Sequence, residues 1–248
     1  MQRRTPVADS RKNHVNIRRL RVSGHGSGFV EPVAPVGNRQ KRLIADVVHE
    51  VISVAFPDIY PNLCHAYAIV GSNVASIVLG RNYRPTAGLS IMDAGDGNFL
   101  ALVNNTSFSN PVGGNYHCWI LSCDAHPRNV ELVDFTFRNN KAYADAHGMK
   151  WAKRYKSYLW GLEREVNLGG NPYPPPKFYE ENQAWYRETP EGIAWMNCEV
   201  SANMDIYAKL TSLALRYLRS QMGDESGAPN PLPAKFSARY EADIRPGR

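Results

Sequence analysis

The chain lacks an apolar run of about 18 residues, the length that a membrane-crossing helix needs. Its N-terminal stretch has no apolar core followed by small residues, so a secretory signal is not expected and a cytoplasmic setting is. Cysteine is scarce. Cys64, Cys118, Cys123 and Cys198 are too few and too irregularly spaced for a disulfide scaffold, and none forms a Cys-x-x-Cys pair. Cys118, Cys123 and His126 have no fourth ligand at zinc spacing, and Asp93, Asp96 and Asp124 do not fall into an EF-hand loop. No metal and no cofactor are therefore expected, and no internal repeat is visible.

Basic charge is also missing where a nucleic-acid-binding body would need it. The chain carries a net charge of +6, but residues 1–42 hold ten Lys/Arg against Asp9 and Glu31, a balance of +8. The remainder has 19 basic and 21 acidic residues, a balance of −2. The basicity belongs to an arm suited to weak, nonspecific phosphate contact, not to a stripe on a folded surface. Residues 1–40 are aperiodic and rich in Arg, Gly, Pro and Ser, so they read as a mostly disordered arm. Residues 41–222 read as a single α+β domain and 223–248 as a loose tail.

Lys41 to Phe56 has Leu43, Val47, Val51 and Val54 on one face, which predicts an amphipathic helix ended by Pro57. A second helix follows from Asn62 to about Gly80, with Leu63, Tyr67, Val70, Val74 and Ile77 as its buried stripe. Then the period changes. Leu89 to Asp93 and Phe99 to Val103 flank Gly95-Asp96-Gly97-Asn98, a hairpin signal. Residues 104–115 read as a loop. Tyr116 to Leu121 reads as a strand with His117, Trp119 and Leu121 on one face and Cys118 and Ile120 on the other. Val130 to Phe137 reads as the next strand. Lys141 to Leu162 has helical character, with Trp151, Tyr155 and Tyr158 as packing residues. The Gly- and Pro-rich residues 169–176 read as a loop, Cys198 as buried, and Met204 to Leu218 as an amphipathic helix.

The second helix holds the candidate chemistry. Pro61 and Asn62 mark a helix start, with Asn62 as N-cap, and this places Cys64 in the first turn. Free N–H groups and the positive end of the helix dipole favour a thiolate there. Taken alone, Cys64 reads more simply as a small buried hydrophobe, as most free cysteines are. His117 and Asp134 follow in order on two adjacent strands. A thiol nucleophile needs a base near neutral pH, which imidazole supplies. The imidazole needs an acceptor on its far nitrogen, which a carboxylate supplies. The oxyanion of such a reaction would take the Cys64 backbone N–H, with Tyr60 or Asn62 as second donor or as shapers of the turn. His65 adjoins Cys64, but helix neighbours point apart, so it reads as a packed or solvent-facing side chain. Trp119 reads as core or pocket wall.

This helix–strand–strand order of Cys, His and Asp resembles the papain-like cysteine proteinase superfamily, in its transglutaminase-like and arylamine N-acetyltransferase branch. Bacterial families of uncharacterised function share that fold. Cys64 with Ala68, His117 with Trp119, and Asp134 match the transglutaminase-like pattern. Asn62 stands where that pattern usually has Gly. The Arg and paired Gly that precede the acetyltransferase cysteine are absent, which argues against coenzyme A as acyl donor. The resemblance implies a core of about residues 43–137, with the nucleophile helix packed on an antiparallel sheet. It implies Cys64 as nucleophile, His117 as base and Asp134 as orienter. The activity it implies is that of a cysteine hydrolase or acyltransferase (peptidase, amidase or transglutaminase-like) on a peptide or small amide substrate. The alternative is a non-catalytic peptide- or glycan-binding module on the same fold. The sequence leaves the oligomeric state open.

Overall fold

The computed structural model describes residues 36–103, 116–124, 126–153, 156–167 and 184–223. The expected arm through residue 35, the 104–115 loop, Tyr155, the 169–176 loop and the tail from residue 224 lie outside them.

Helix α1 spans Asn38–Ala55, so the chain becomes regular before residue 41, and seven of its apolar side chains are buried. After a 3-10 turn at Tyr60–Asn62, helix α2 spans Cys64–Leu79 and ends at Gly80. Gly80 adopts φ 62°, a left-handed stop that a glycine takes without a Cβ penalty. The N-cap of α2 is Leu63, with no side-chain cap bond, so Asn62 does not cap the helix. The narrow stripe expected along α2 is also corrected. Burial is nearly continuous from Ala66 to Ala75, whereas Ile77 is 60% exposed. The cause is that α2 packs on the sheet and on both other long helices, so no single face suffices.

Among the described residues the sheet is antiparallel and six-stranded. Strand β1 (Tyr83–Gly95) turns through Asp96 and Gly97, both at positive φ, into β2 (Asn98–Leu102). Strands β3 (His117–Ser122) and β4 (Glu131–Asp134) follow. The expected 130–137 strand stops at Asp134, and Phe137 enters a 3-10 turn. Helix α3 is short, Asn140–Ala146, and β5 occupies Leu159–Leu162. The helix expected over 141–162 is therefore corrected: Gly148, at φ 66°, follows α3, and the chain returns to the sheet. Helix α4 (Glu163–Val166), β6 (Ala184–Glu188), α5 (Pro190–Ala202) and α6 (Met204–Gly223) complete the order. Thr189 caps α5 by accepting from the Gly192 N–H. Cys198, on α5, is exposed, contrary to its sequence reading.

Pairing along β1 positions the site. Gly88 opposes both His117 of β3 and Glu188 of β6, so those strands flank β1 on opposite edges. Ser90 likewise opposes both Leu102 of β2 and Tyr186 of β6. Strands β2 and β3 therefore run in succession along one edge of β1, interrupted where the chain leaves at Leu102 and returns at His117. Alternation on β3 sends Cys118 and Ile120 into the core shared with α1, α2 and α6, and Trp119 and Leu121 into a second core on the other face. Among the described residues, no helix is long and apolar enough to cross a membrane.

Candidate active site

Three elements converge at the break between β2 and β3. Helix α2 brings Cys64 in its first turn, β3 brings His117 as its first residue, and β4 brings Asp134 as its last. The register pairs Ile120 with Val133, which carries Asp134 opposite Trp119 and diagonal to His117. A diagonal pair on one face lies within reach of a long side chain. His117 Nε2 is 2.7 Å from Asp134 Oδ2. A carboxylate only accepts, so Nε2 carries the proton and Nδ1 is the nitrogen left for Cys64.

Both groups are buried, His117 at 3% and Asp134 at 1% exposure. A buried carboxylate needs partners on every lone pair. Asp134 has them: Oδ1 accepts from the Thr136 N–H at 2.8 Å and the Thr136 hydroxyl at 2.5 Å. Its Oδ2 accepts from His117 and, at 2.8 Å, from the Tyr186 hydroxyl on β6. Burial pushes the Asp134 pKa up, but the His117 charge and these hydrogen bonds hold it below the carboxylate range. Burial likewise pushes His117 down, and Asp134 outweighs it, so His117 rises to about 10.

The Cys64 thiol is held well below its ordinary value. Hydrogen bonding from Cys118 contributes most; burial opposes it, and interactions with His117 and His65 add to it. Burial and the neighbouring Cys64 sulfur push Cys118 the other way, well above the thiol range. Of the two neighbouring sulfurs, Cys64 is therefore the one whose thiolate is favoured, with Cys118 as its hydrogen-bond donor. Cys64 is half-buried and faces a cavity of about 420 Å³, whereas Cys118 is buried in the helix-side core.

The remaining sequence candidates separate. Asn62 lines the cavity. Tyr60 does not: its ring stands edge-on to His49 with centroids 5.7 Å apart, away from the cavity lining. Of its two readings, second oxyanion donor or shaper of the turn, Tyr60 sits in the 3-10 turn itself. Trp119, read as core or pocket wall, is core and is not among the cavity's described lining residues. It lies 2% exposed behind His117, against Tyr186 at 5.1 Å. His65 packs edge-on against Trp195 and also touches Cys64, so the expectation that it points away holds only in part.

Several residues of the site went unread in the sequence. Thr136 had a local signal, since an Asp followed two residues later by Thr is a side-chain-to-backbone turn. Tyr186 and Cys118 had none, because their placement depends on long-range pairing of β6 and α2 with the sheet.

No protein-family model and no curated protein matches the chain. A crystal structure from a genomics project is similar to it, with 14% sequence identity over 71% of this chain and 78% of that one and a TM-score of 0.47. A likeness at that level carries no argument about this chain.

Proposed function

We propose that the chain is a thiol-dependent hydrolase or acyl transferase of amide or peptide-type bonds, built on a papain-like core of the transglutaminase-like kind. The observation that carries this reading is the buried His117–Asp134 contact of 2.7 Å beside a helix-start cysteine whose thiolate is favoured.

Cys64 and His117 rest as thiolate and imidazolium, so the nucleophile needs no deprotonation step. The thiolate attacks the substrate carbonyl carbon, and the carbonyl electron pair moves onto oxygen. The Cys64 backbone N–H, at the first position of α2, is a donor for that oxyanion, with Asn62 on the neighbouring wall. His117 gives its proton to the departing amine, the C–N bond breaks, and a thioester on Cys64 remains. Water or an acceptor amine then loses a proton to His117 and attacks the thioester, returning the thiolate. Asp134 keeps the imidazole in the tautomer that both proton transfers require.

The test is formation of the thioester. The full chain is mixed with an activated acyl ester and quenched in acid, and Cys64 is read by peptide mass spectrometry. An acyl adduct on Cys64, absent from Cys64→Ala and strongly slowed in His117→Ala, supports the reading. Adduct formation that is absent from the wild type, together with ordinary-thiol alkylation of Cys64, sinks it in favour of a binding module.

A further inference from the structure

The cavity in front of Cys64 has a chemical character of its own. Three faces build it. The 3-10 turn before α2 contributes Pro61 and Leu63, β2 contributes Leu100 and Leu102, and α3 contributes Asn140, Tyr143 and His147. The last three are spaced i, i+3 and i+7, one stripe along α3 continued into its C-cap. Tyr143 and His147 stack with ring centroids 4.2 Å apart, and the His147 Nδ1–H donates to the Tyr143 carbonyl at 2.8 Å, so the two rings form one fixed aromatic wall. Among the described residues, no Asp, Glu, Lys or Arg lines the cavity.

Two charges stand at its base, and both are matched. The Cys64 thiolate faces the His117 imidazolium. Asp134 stands behind His117, and the four hydrogen bonds it accepts saturate it. Among the described residues that line the cavity, a cation finds no carboxylate and an anion finds no Lys or Arg. Either would be stripped of water without a partner. Size adds a second constraint. A benzene ring fits a cavity of about 150 Å³, so a volume of about 420 Å³ holds an uncharged group of two to three such rings.

On the reading above, we propose that the acyl donor carries an uncharged apolar or aromatic group of roughly bicyclic to dipeptide size, seated against the Tyr143–His147 wall. The selectivity resides in α3 and not in the three residues that perform the chemistry.

A set of N-substituted iodoacetamides that share one warhead tests this without turnover. The substituents are ethyl, naphthylmethyl, carboxypropyl and aminobutyl, and the readout is the second-order rate at Cys64 in the full chain at pH 7. The naphthylmethyl probe should react about tenfold or more faster than the ethyl probe, which corresponds to burial of one aromatic group. Both charged probes should fall below the ethyl one. The naphthylmethyl-to-ethyl ratio should drop toward one in Tyr143→Ala and in His147→Ala, and a ratio within each variant is insensitive to its overall reactivity. Equal rates for all four probes at a reactive Cys64 would overturn the selectivity and leave the thiol chemistry standing, as would a faster charged probe. A Cys64 inert to every probe would overturn both.

Discussion

Helix α2 serves two histidines, His117 buried and His49 half-buried, with opposite fates. His117 meets Cys64 in the first turn. His49, on α1, meets the Tyr67 hydroxyl one turn further on, its Nδ1 2.7 Å away. Burial disfavours the charged form of both. His49 yields to it: burial and the nearby Arg138 charge lower it to about 4, although Asp46 pulls the other way. Asp46 is committed elsewhere, accepting from Arg138 at 2.7 Å. His117 resists and rises to about 10, because Asp134 is committed to it directly. The comparison teaches that the partner on the ring nitrogen, and not burial, separates a neutral packing histidine from a charged one.

The largest way to break this contrast is Asp134→Asn. The amide can present its NH2 to Nε2, reversing the tautomer, and burial of His117 is then opposed only by Cys64. His117 should fall well below about 10 and move toward the behaviour of His49. Acylation of Cys64 at pH 7 should slow by about 10³–10⁴-fold, the scale seen when the orienting carboxylate of such a triad is neutralised. Single-turnover acylation measures it, and a loss under about tenfold would contradict the role given to Asp134.

A second prediction asks whether the two histidine regions share one strut. Gly71 lies on α2 against the sheet, where an added Cβ would meet Phe135 Cε2 at 2.6 Å and Ile120 Cδ1 at 2.8 Å. Both neighbours are 1% exposed and have no room to retreat. Gly71→Ala should destabilise the fold by about 1–3 kcal/mol and, by lifting α2, slow Cys64 alkylation as well. Chemical denaturation and the alkylation rate check the two halves of that statement.

The converse experiment is His49→Leu. Tyr67 loses one hydrogen-bond partner but keeps its interaction with Asn139, so the cost should be about 1 kcal/mol. The pH dependence of Cys64 alkylation should not move. A displaced profile would show that the two regions are linked electrostatically and that His49 and His117 do not titrate independently.

The three residues at the centre of the site were legible because each sits in a pattern that short-range physics controls. Cys64 follows a Pro-Asn helix start, and His117 shows the alternation of a strand buried on both faces. Asp134 sits four residues into the next apolar run. Their support was not legible. Tyr186 reaches Asp134 only because β6 pairs with the far edge of β1, across a sequence gap that no local periodicity spans. Cys118 reads simply as the helix-side residue of its strand, and its contact with Cys64 depends on how α2 docks. The segment 141–162 misled for the opposite reason. Its Ala, Lys and Tyr content favours helix locally, but pairing with β4 claims Leu159–Leu162 for the sheet. Ile77 and Cys198 show the same limit, since a helix enclosed on several sides or exposed at its end does not follow a single stripe.

The smallest predicted effect is also the most specific to the thiolate–imidazolium pair. His117 is raised from 6.5 to about 10. Alone, it would contribute stability that is fully present below 6.5 and lost as pH rises through about 10. Cys64 is lowered from 9.0, so alone it would contribute stability present above 9.0 and lost as pH falls through its folded value. Between the folded Cys64 value or 6.5, whichever is higher, and 9.0, the slopes are equal and opposite. The folded pair holds one proton, on His117, and the unfolded pair also holds one, on Cys64. With equal protons bound in both states, the pair makes no contribution to the pH dependence across that window. Cys64→Ala removes the rising arm and leaves the falling one. Cys64 also supports the His117 charge, so the variant's falling arm ends below about 10, and the stability difference between wild type and Cys64→Ala should grow with pH from the lower end of the window. Paired urea melts at half-unit pH steps measure it. A difference that stays flat across the window would mean that Cys64 is a thiol in the folded state, and His117 would then keep its proton without the cysteine's help.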